Sequence, residues 1–168
     1  MKFRDLTASE IEIRIGQAKQ NGLSLLLYKD ARCDMAILDE TVGAENWQRE
    51  HYECKGNLFC RVGIRFERDD CDEWVFKSDC GAESYTEKEK GEASDSFKRA
   101  CVNWGIGREL YTSPFIWLQS GKDLYKDSNG KCYDKFSVEK IIIEDKKIVA
   151  LAIRNDTLNK RVFVWQKQ

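Results

Sequence analysis

The chain has 168 residues, a formal net charge of −1 and a single proline, and 34% of its residues are charged. This length suits one domain, or one domain with a small appendage, and is enough to bury a hydrophobic core. The composition excludes a disordered linker or a low-complexity protein. No apolar run approaches the roughly 20 residues of a membrane helix, and the N-terminus lacks the apolar stretch of a signal peptide. We therefore expect a soluble, cytoplasmic protein.

The residues that most often bind metals or act as nucleophiles are seven cysteines and one histidine, His51. The cysteines are odd in number and lack the paired C-x2-C spacing of a zinc site. Cys54, Cys60, Cys71 and Cys80 would meet only if neighbouring strands brought them together, and small apolar residues in a reducing cytosol are the simpler interpretation. One histidine also argues against a Cys-His or Ser-His pair. We predict no catalytic residue, no metal and no cofactor.

Charge is distributed unevenly along the chain. Residues 1–118 carry 17 basic and 22 acidic side chains, whereas residues 119–168 carry 11 basic and 7 acidic ones. A positive C-terminal region on a mildly acidic body permits local binding of an anion without requiring it.

The N-terminal 42 residues predict an αβα segment. Thr7-x-x-Glu10 is a capping-box pattern, and Ile11, Ile15 and Ala18 recur at helical spacing before Gly22. Residues 23–29 form a short, nearly continuous apolar run that is typical of a buried strand. A second helix is predicted over residues 31–42.

Three strands are predicted over residues 47–54, 58–67 and 73–80, joined by short polar turns into an antiparallel meander. The middle strand alternates strictly between two kinds of side chain. One face is apolar, and the other carries Phe59, Arg61 and Arg65. Period-two alternation of this kind predicts one face against a core and one face in solvent.

A third helix is predicted after the meander, delimited by a second capping box, Thr86-x-x-Glu89, and by Gly105 after its last turn. An apolar stripe along this helix should lie on the sheet; its members are Ala93, Phe97, Ala100, Cys101 and Trp104. At about 100° per residue, Lys98 lies beside the stripe and Arg99 well outside it. The order is therefore β-β-β-α, with a basic pair on the helix.

Beyond Pro114 the pattern becomes β-rich, with strands predicted over residues 138–144, 147–155 and 161–165. The predicted fold class is α+β: a β-β-β-α core, the N-terminal αβα segment and a small C-terminal β appendage. We predict two parts, residues 1–118 and a basic appendage of residues 119–168.

The order and residues from about position 11 to position 111 resemble the Rad52 superfamily of single-strand annealing proteins, particularly its short phage and bacterial members of the Sak and DdrA type. The resembling pieces are EIEIRIG, YKDARCDMAILDETVGAENW, the meander, and ASDSFKRACVNWGIGRELY. The resemblance implies rings or filaments of identical subunits that bind single-stranded DNA and pair complementary strands without ATP. It also implies recombination or double-strand break repair in a bacterial host cell, with a single-strand-binding protein or an exonuclease as further partners.

The resemblance also implies which residues bind DNA. The basic pair at the end of the family's third helix matches Lys98 and Arg99, an earlier basic residue matches Lys90, and a groove-lining arginine matches Arg14. One further basic position of the family is Val102 here, which is a departure. From the strand pattern itself, Arg61 and Arg65 are weaker candidates for the same DNA-binding surface, because annealing of any sequence requires cations for phosphates rather than side chains that read bases.

Two alternatives to an annealing protein stay open at this point. The first is a non-catalytic oligomeric interaction module that docks a partner through its basic tail. The second, weaker one is a metal-dependent nuclease, because Asp134 precedes Glu144-x-Lys146 in an acid-then-E-x-K arrangement. Glu144 and Lys146 flank a predicted hairpin turn, which suits a turn better than a Mg²⁺ site.

Overall fold

The computed structural model describes residues 1–69, 71–82 and 88–167. These residues form an α+β structure with three antiparallel three-stranded sheets and two α-helices. The first sheet has the strand order β1-β2-β6, the second β3-β4-β5 and the third β7-β8-β9.

The strands are β1 (Glu12–Lys19), β2 (Gly22–Tyr28), β3 (Trp47–Cys54), β4 (Asn57–Phe66), β5 (Glu73–Cys80), β6 (Ile116–Gln119), β7 (Phe136–Glu144), β8 (Lys147–Asn155) and β9 (Lys160–Gln166). The α-helices are α1 (Ala31–Val42) and α2 (Lys88–Trp104), and three short 3-10 turns cover Ala8–Glu10, Ala44–Asn46 and Arg108–Thr112. Within the described residues no helix is long and apolar enough to cross a membrane.

The chain forms two compact units. The first combines Met1–Arg4 with Ala31–Arg108, and the second combines Asp5–Asp30 with Glu109–Gln168. The first unit thus holds both helices and the β3-β4-β5 sheet, and the second holds the other two sheets. The division that we predict after residue 118 falls within β6, and as a statement about domains it stays a prediction.

In the first unit, α2 lies against one face of the β3-β4-β5 sheet. That face presents Cys60, Val62 and Ile64 of β4, all fully buried. Phe97 of α2 is also fully buried, and the Trp104 Nε1 atom donates a hydrogen bond to the carbonyl of Val62 at 3.0 Å. The alternation that predicted one buried face of β4 is therefore confirmed.

The N-terminal αβα prediction is wrong in its first element. Residues 12–19 form the strand β1, paired antiparallel with β2, and no α-helix precedes it. The capping box forms only a single 3-10 turn, in which the Glu10 Oε2 atom accepts a hydrogen bond from the Thr7 amide at 2.8 Å. The isoleucines at positions 11, 13 and 15 fit the two-residue period of a strand, although positions 11 and 15 also fit the spacing of a helix. Isoleucine is β-branched, and β-branched residues favour strands.

Most of the other predicted elements are confirmed. Helix α1 has the predicted bounds, and β3, β4, β5, β7, β8 and β9 begin and end within two residues of prediction. Gly105 has φ 101°, which confirms the left-handed residue after α2. The capping box predicted at Thr86 lies outside the described residues. Strand β6 was not predicted from the sequence.

Burial of the Cys60 thiol makes stability depend on alkaline pH. Burial raises the pKa of Cys60 from 9.0 to about 11. Above pH 9 the unfolded chain therefore ionises this thiol while the folded chain does not, so the contribution of Cys60 to the free energy of unfolding should be level below pH 9 and fall as the pH rises from 9 to 11. Tyr28 acts in the same direction between pH 10 and about 12.

Urea denaturation at pH 8 and pH 10 tests this expectation. The variant Cys60→Ala should lose less stability between the two pH values than the wild type does, because its unfolded state has one fewer acid to ionise. Equal losses in the two proteins would contradict it.

Candidate nucleic-acid interface

The predicted basic pair lies on the C-terminal half of α2. Lys98 is half-buried beside the apolar stripe, and among the described residues its ammonium has no hydrogen-bond or ion-pair partner. Arg99 is exposed and places Nε 3.3 Å from the Asp79 Oδ1 atom of β5. Helical periodicity therefore predicted both positions correctly.

The acidic side chains in the middle of α2 are occupied by backbone amides. The Glu92 Oε1 atom accepts a hydrogen bond from the amide of Leu58 at 3.0 Å. The Asp95 Oδ2 atom accepts one from the amide of Ala82 at 3.1 Å. These carboxylates link α2 to the backbone at Leu58 and Ala82, and the amide dipoles partly compensate their negative charge.

A further cation at the end of α2 was missed by the sequence analysis. Arg108 is exposed, and its guanidinium donates to the carbonyl of Val102 at 3.0 Å and to the carbonyl of Asn103 at 3.2 Å. It therefore caps the last carbonyls of α2, one of which belongs to Val102, the residue that stands where the resemblance implies a basic side chain. A basic residue three positions after the glycine that ends a helix is the signal that would have indicated it, because cations are favoured at helix C-termini.

Lys90 lies near the start of α2 and is exposed. Lys90 interacts with other residues of the chain, so its ammonium is not free. Arg99 likewise has a further interaction besides its ion pair with Asp79. Along the helix, the three predicted cations Lys90, Lys98 and Arg99 thus belong to one element.

The structure separates Arg61 and Arg65 from the α2 cations. Both side chains lie on the face of β4 that is turned away from α2, as the alternation with Cys60, Val62 and Ile64 requires. The Arg61 Nη2 atom is 2.5 Å from the Glu50 Oε2 atom, and the Arg65 Nη1 atom is 3.6 Å from the Asp72 Oδ2 atom. These two arginines therefore lie on the other side of the sheet from α2, and their role in DNA binding stays a prediction.

Arg14 belongs to the second unit, on the exposed side of β1. Its guanidinium carbon lies 5.9 Å from the centroid of the Tyr28 ring, which is a cation–π distance. A hydrogen bond to Glu12, together with burial, raises the pKa of Tyr28 to about 12. Tyr28 is therefore a neutral hydrogen-bond donor at neutral pH, and Arg14 stacks on an uncharged ring.

The three residues of the acid-then-E-x-K pattern are not gathered into one cluster. The Asp134 Oδ2 atom accepts hydrogen bonds from the Tyr125 amide and from the Asn155 side chain, at 2.9 and 2.8 Å. Lys146 instead lies 2.9 Å from the Asp5 carboxylate. In the part of the chain that the structure describes, no three His, Cys, Asp or Glu side chains are grouped to hold a metal ion.

The cysteines of the meander occupy different environments. Cys60 is buried, Cys80 is partly exposed, and Cys54 and Cys71 are exposed; none of the seven cysteines is in a disulfide. His51 donates from Nε2 to the carbonyl of Ala93 at 3.1 Å, so the one histidine joins β3 to α2.

Comparison with known proteins identifies the family of the chain. A model of the Rad52/22 family double-strand break repair proteins matches residues 3–129, which include both helices and the β3-β4-β5 sheet. No curated protein matches the chain, and no solved structure matches it. Since the matched residues are well over half of the chain, it belongs to the Rad52/22 family of double-strand break repair proteins.

Proposed function

We propose that this protein binds single-stranded DNA through the cations of α2 and anneals complementary strands during DNA recombination or repair. The observation that carries the proposal is Lys98, a cation without an ionic partner among the described residues, on a helix whose nearby carboxylates Glu92 and Asp95 accept hydrogen bonds from backbone amides. Family membership supports the same activity. In this proposal β3, β4, β5 and α2 are the β-β-β-α core of the annealing fold.

The chemistry of annealing fits cations placed in this way. A protein that pairs any two complementary strands must hold the phosphates and leave the base edges free. Lys98, Arg99 and Arg108 provide point charges and guanidinium forks for phosphate oxygens, with no arrangement that reads one base. Pairing by mass action on held strands requires neither ATP nor a metal ion.

Self-assembly belongs to the same proposal. One subunit that offers two to four cations binds a strand weakly, whereas a ring or filament repeats the site along the strand and gains affinity by multivalency. Assembly of identical subunits would therefore make a net charge of −1 per subunit compatible with DNA binding. The phage or bacterial subtype belongs to the same proposal.

Annealing of two complementary labelled oligonucleotides, without nucleotide or metal, tests the function. The wild type should accelerate pairing, and rising salt should weaken this effect, because binding releases counterions from the phosphates. The double variant Lys98→Ala with Arg99→Ala should bind DNA more weakly. Its slope of log affinity against log salt should become shallower by about 0.7 for each phosphate that the variant no longer neutralises.

A matched control separates the site from the total charge. Lys55→Asn with Arg68→Gln also removes two positive charges, from exposed turns of the same unit, and Asn suits the positive φ of 52° at residue 55. It should keep the wild-type affinity and salt slope. Equal losses of affinity in both double variants would show that only net charge matters, and no acceleration by a folded wild type would favour the non-catalytic interaction module.

A further inference from the structure

The face of the β3-β4-β5 sheet that is turned away from α2 carries a group of aromatic side chains. Residues directly opposite each other in antiparallel strands share a face of the sheet. The strand pairing therefore puts these side chains on the same face, in rows that run across the strands. We call this surface the open face, and its residues are Tyr52, Phe59, Trp74 and Phe76 together with Arg61 and Arg65.

The rings of the open face are ordered into two near-parallel pairs. Tyr52 and Phe59 have centroids 5.6 Å apart with an angle of 22° between their planes. Trp74 and Phe76 have centroids 6.3 Å apart with an angle of 26°. The Arg61 guanidinium lies 5.1 Å from the centroid of the Phe76 ring. The surface therefore offers π-faces and a planar cation in fixed orientations.

Gly63 fixes the position of Phe76. A Cβ atom at residue 63 would lie 2.4 Å from Cε1 of the Phe76 ring, so the ring occupies the space of the missing side chain. Gly63 is buried under that ring, whereas the ring itself remains 41% exposed. Phe76 is thus held against the sheet on one side and open to solvent on the other.

We propose that the open face binds the bases of a single DNA strand by stacking, as a second contact surface beyond the cations of α2; this rests on the proposed function. Every base has a π-face, so stacking is tolerant of sequence. A base stacked on Tyr52 or Phe76 keeps its Watson–Crick edge free, which a protein that pairs complementary strands requires.

A second copy of the chain fits the open face less well than a nucleic acid does. Arg61 with Glu50 and Arg65 with Asp72 form ion pairs on or beside this face, with their side chains 33–58% exposed. A dry protein interface would have to remove water from both pairs, and the desolvation penalty can exceed the Coulombic gain. A single strand leaves them in contact with water and adds phosphates for the arginines.

Binding of oligonucleotides with and without bases tests the proposal. The wild type should bind an oligothymidylate more tightly than a chain of abasic sites of equal length. The double variant Tyr52→Leu with Phe76→Leu keeps apolar side chains but lacks their π-faces. We expect it to bind oligothymidylate about 5- to 160-fold more weakly for each base that no longer stacks, with an unchanged salt slope, since the phosphates remain bound.

The control is Tyr133→Leu, which removes a ring that is 72% exposed in the second unit and should change nothing. Equal wild-type affinity for the two oligonucleotides, or an unaffected double variant, would overturn the stacking proposal while leaving phosphate binding by α2 intact. A wild type that binds neither oligonucleotide would instead refute the proposed function itself. A double variant that changes oligomeric state at unchanged DNA affinity would identify the open face as an interface between copies and overturn the proposal.

Discussion

Replacing Phe97 with alanine is expected to remove about 3–5 kcal/mol from the free energy of unfolding, the usual cost of truncating a buried phenylalanine. Phe97 is fully buried where α2 meets the sheet. Its ring centroid lies 6.1 Å from that of Trp47, and the Arg49 guanidinium is 4.7 Å from its centroid. The substitution leaves a cavity against both neighbours, and it removes the packing that fixes the part of α2 next to Lys98.

Urea denaturation measures this loss of stability as a lower midpoint at an unchanged slope. Phe115→Ala is the matched control, because the Phe115 ring is 77% exposed and its removal should change the free energy of unfolding by less than about 0.5 kcal/mol. A cost below about 1 kcal/mol at Phe97 would contradict the packing of α2 on the sheet. The proposed DNA binding should also weaken in Phe97→Ala, because the cations of α2 then lack their fixed support.

Replacing Lys146 with methionine is expected to cost about 3 kcal/mol, because it leaves a buried carboxylate without this cation. Glu109 is fully buried and accepts a hydrogen bond from the Leu6 amide at 2.8 Å. The Lys146 Nζ atom lies 3.8 Å from the Glu109 Oε2 atom and 2.9 Å from the Asp5 Oδ1 atom. The cost should fall at the low end of the range for buried pairs, since the Lys146 side chain keeps 24% exposure.

A double variant shows whether the cost comes from the unpaired charge. Glu109→Gln combined with Lys146→Met should be more stable than Lys146→Met alone, because the amide oxygen still accepts from Leu6 and no buried charge remains. Lys147→Met removes the neighbouring exposed charge and should have little effect. A double variant less stable than Lys146→Met would contradict the assignment of the cost to the Glu109 charge.

A net charge of −1 is a poor guide to what a DNA strand meets on this protein. Glu92 and Asp95 on α2 accept hydrogen bonds from backbone amides, whose dipoles partly compensate the negative charge. On the opposite face, Glu50 is occupied by Arg61. The potential near Lys98 is set by its immediate neighbours, because more distant exposed charges are screened within about 8–10 Å at physiological salt.

The sequence predicted those elements whose signals are local. Helix α1 has an apolar stripe and a glycine after its end, and the meander has turns between alternating strands, so both could be placed to within two residues. Strand β1 was predicted as a helix because its isoleucines fit both periods, and its pairing with β2 decides between them. Strand β6 has only four residues and is defined by its partner β2, far away in sequence.

In the candidate site, too, the positions with local sequence signals were predicted and those set by distant contacts were not. Periodicity placed Lys98 and Arg99 correctly on α2, because a helix has one fixed rotation per residue. Strand alternation likewise put Arg61 on the face of β4 away from its apolar side chains, and the packing of α2 on the apolar face separates Arg61 from Lys98. Arg108 was missed because its role depends on the carbonyls at the end of α2, which are available only once the chain has turned at Gly105.

The interrupted second unit has a consequence for the kinetics of folding. Its strands β2 and β6 pair Leu23 with Leu118, whereas every strand pair of the first unit is joined by a short turn. Closing a loop of roughly 95 residues costs about 2 kcal/mol more in chain entropy than closing one of ten. We therefore expect Ala31–Arg108 to fold early, as a segment of local contacts, and the β2–β6 pairing to form late, since long-range strand pairing slows folding. On a ribosome, the cations of α2 would then be in place before the second unit closes.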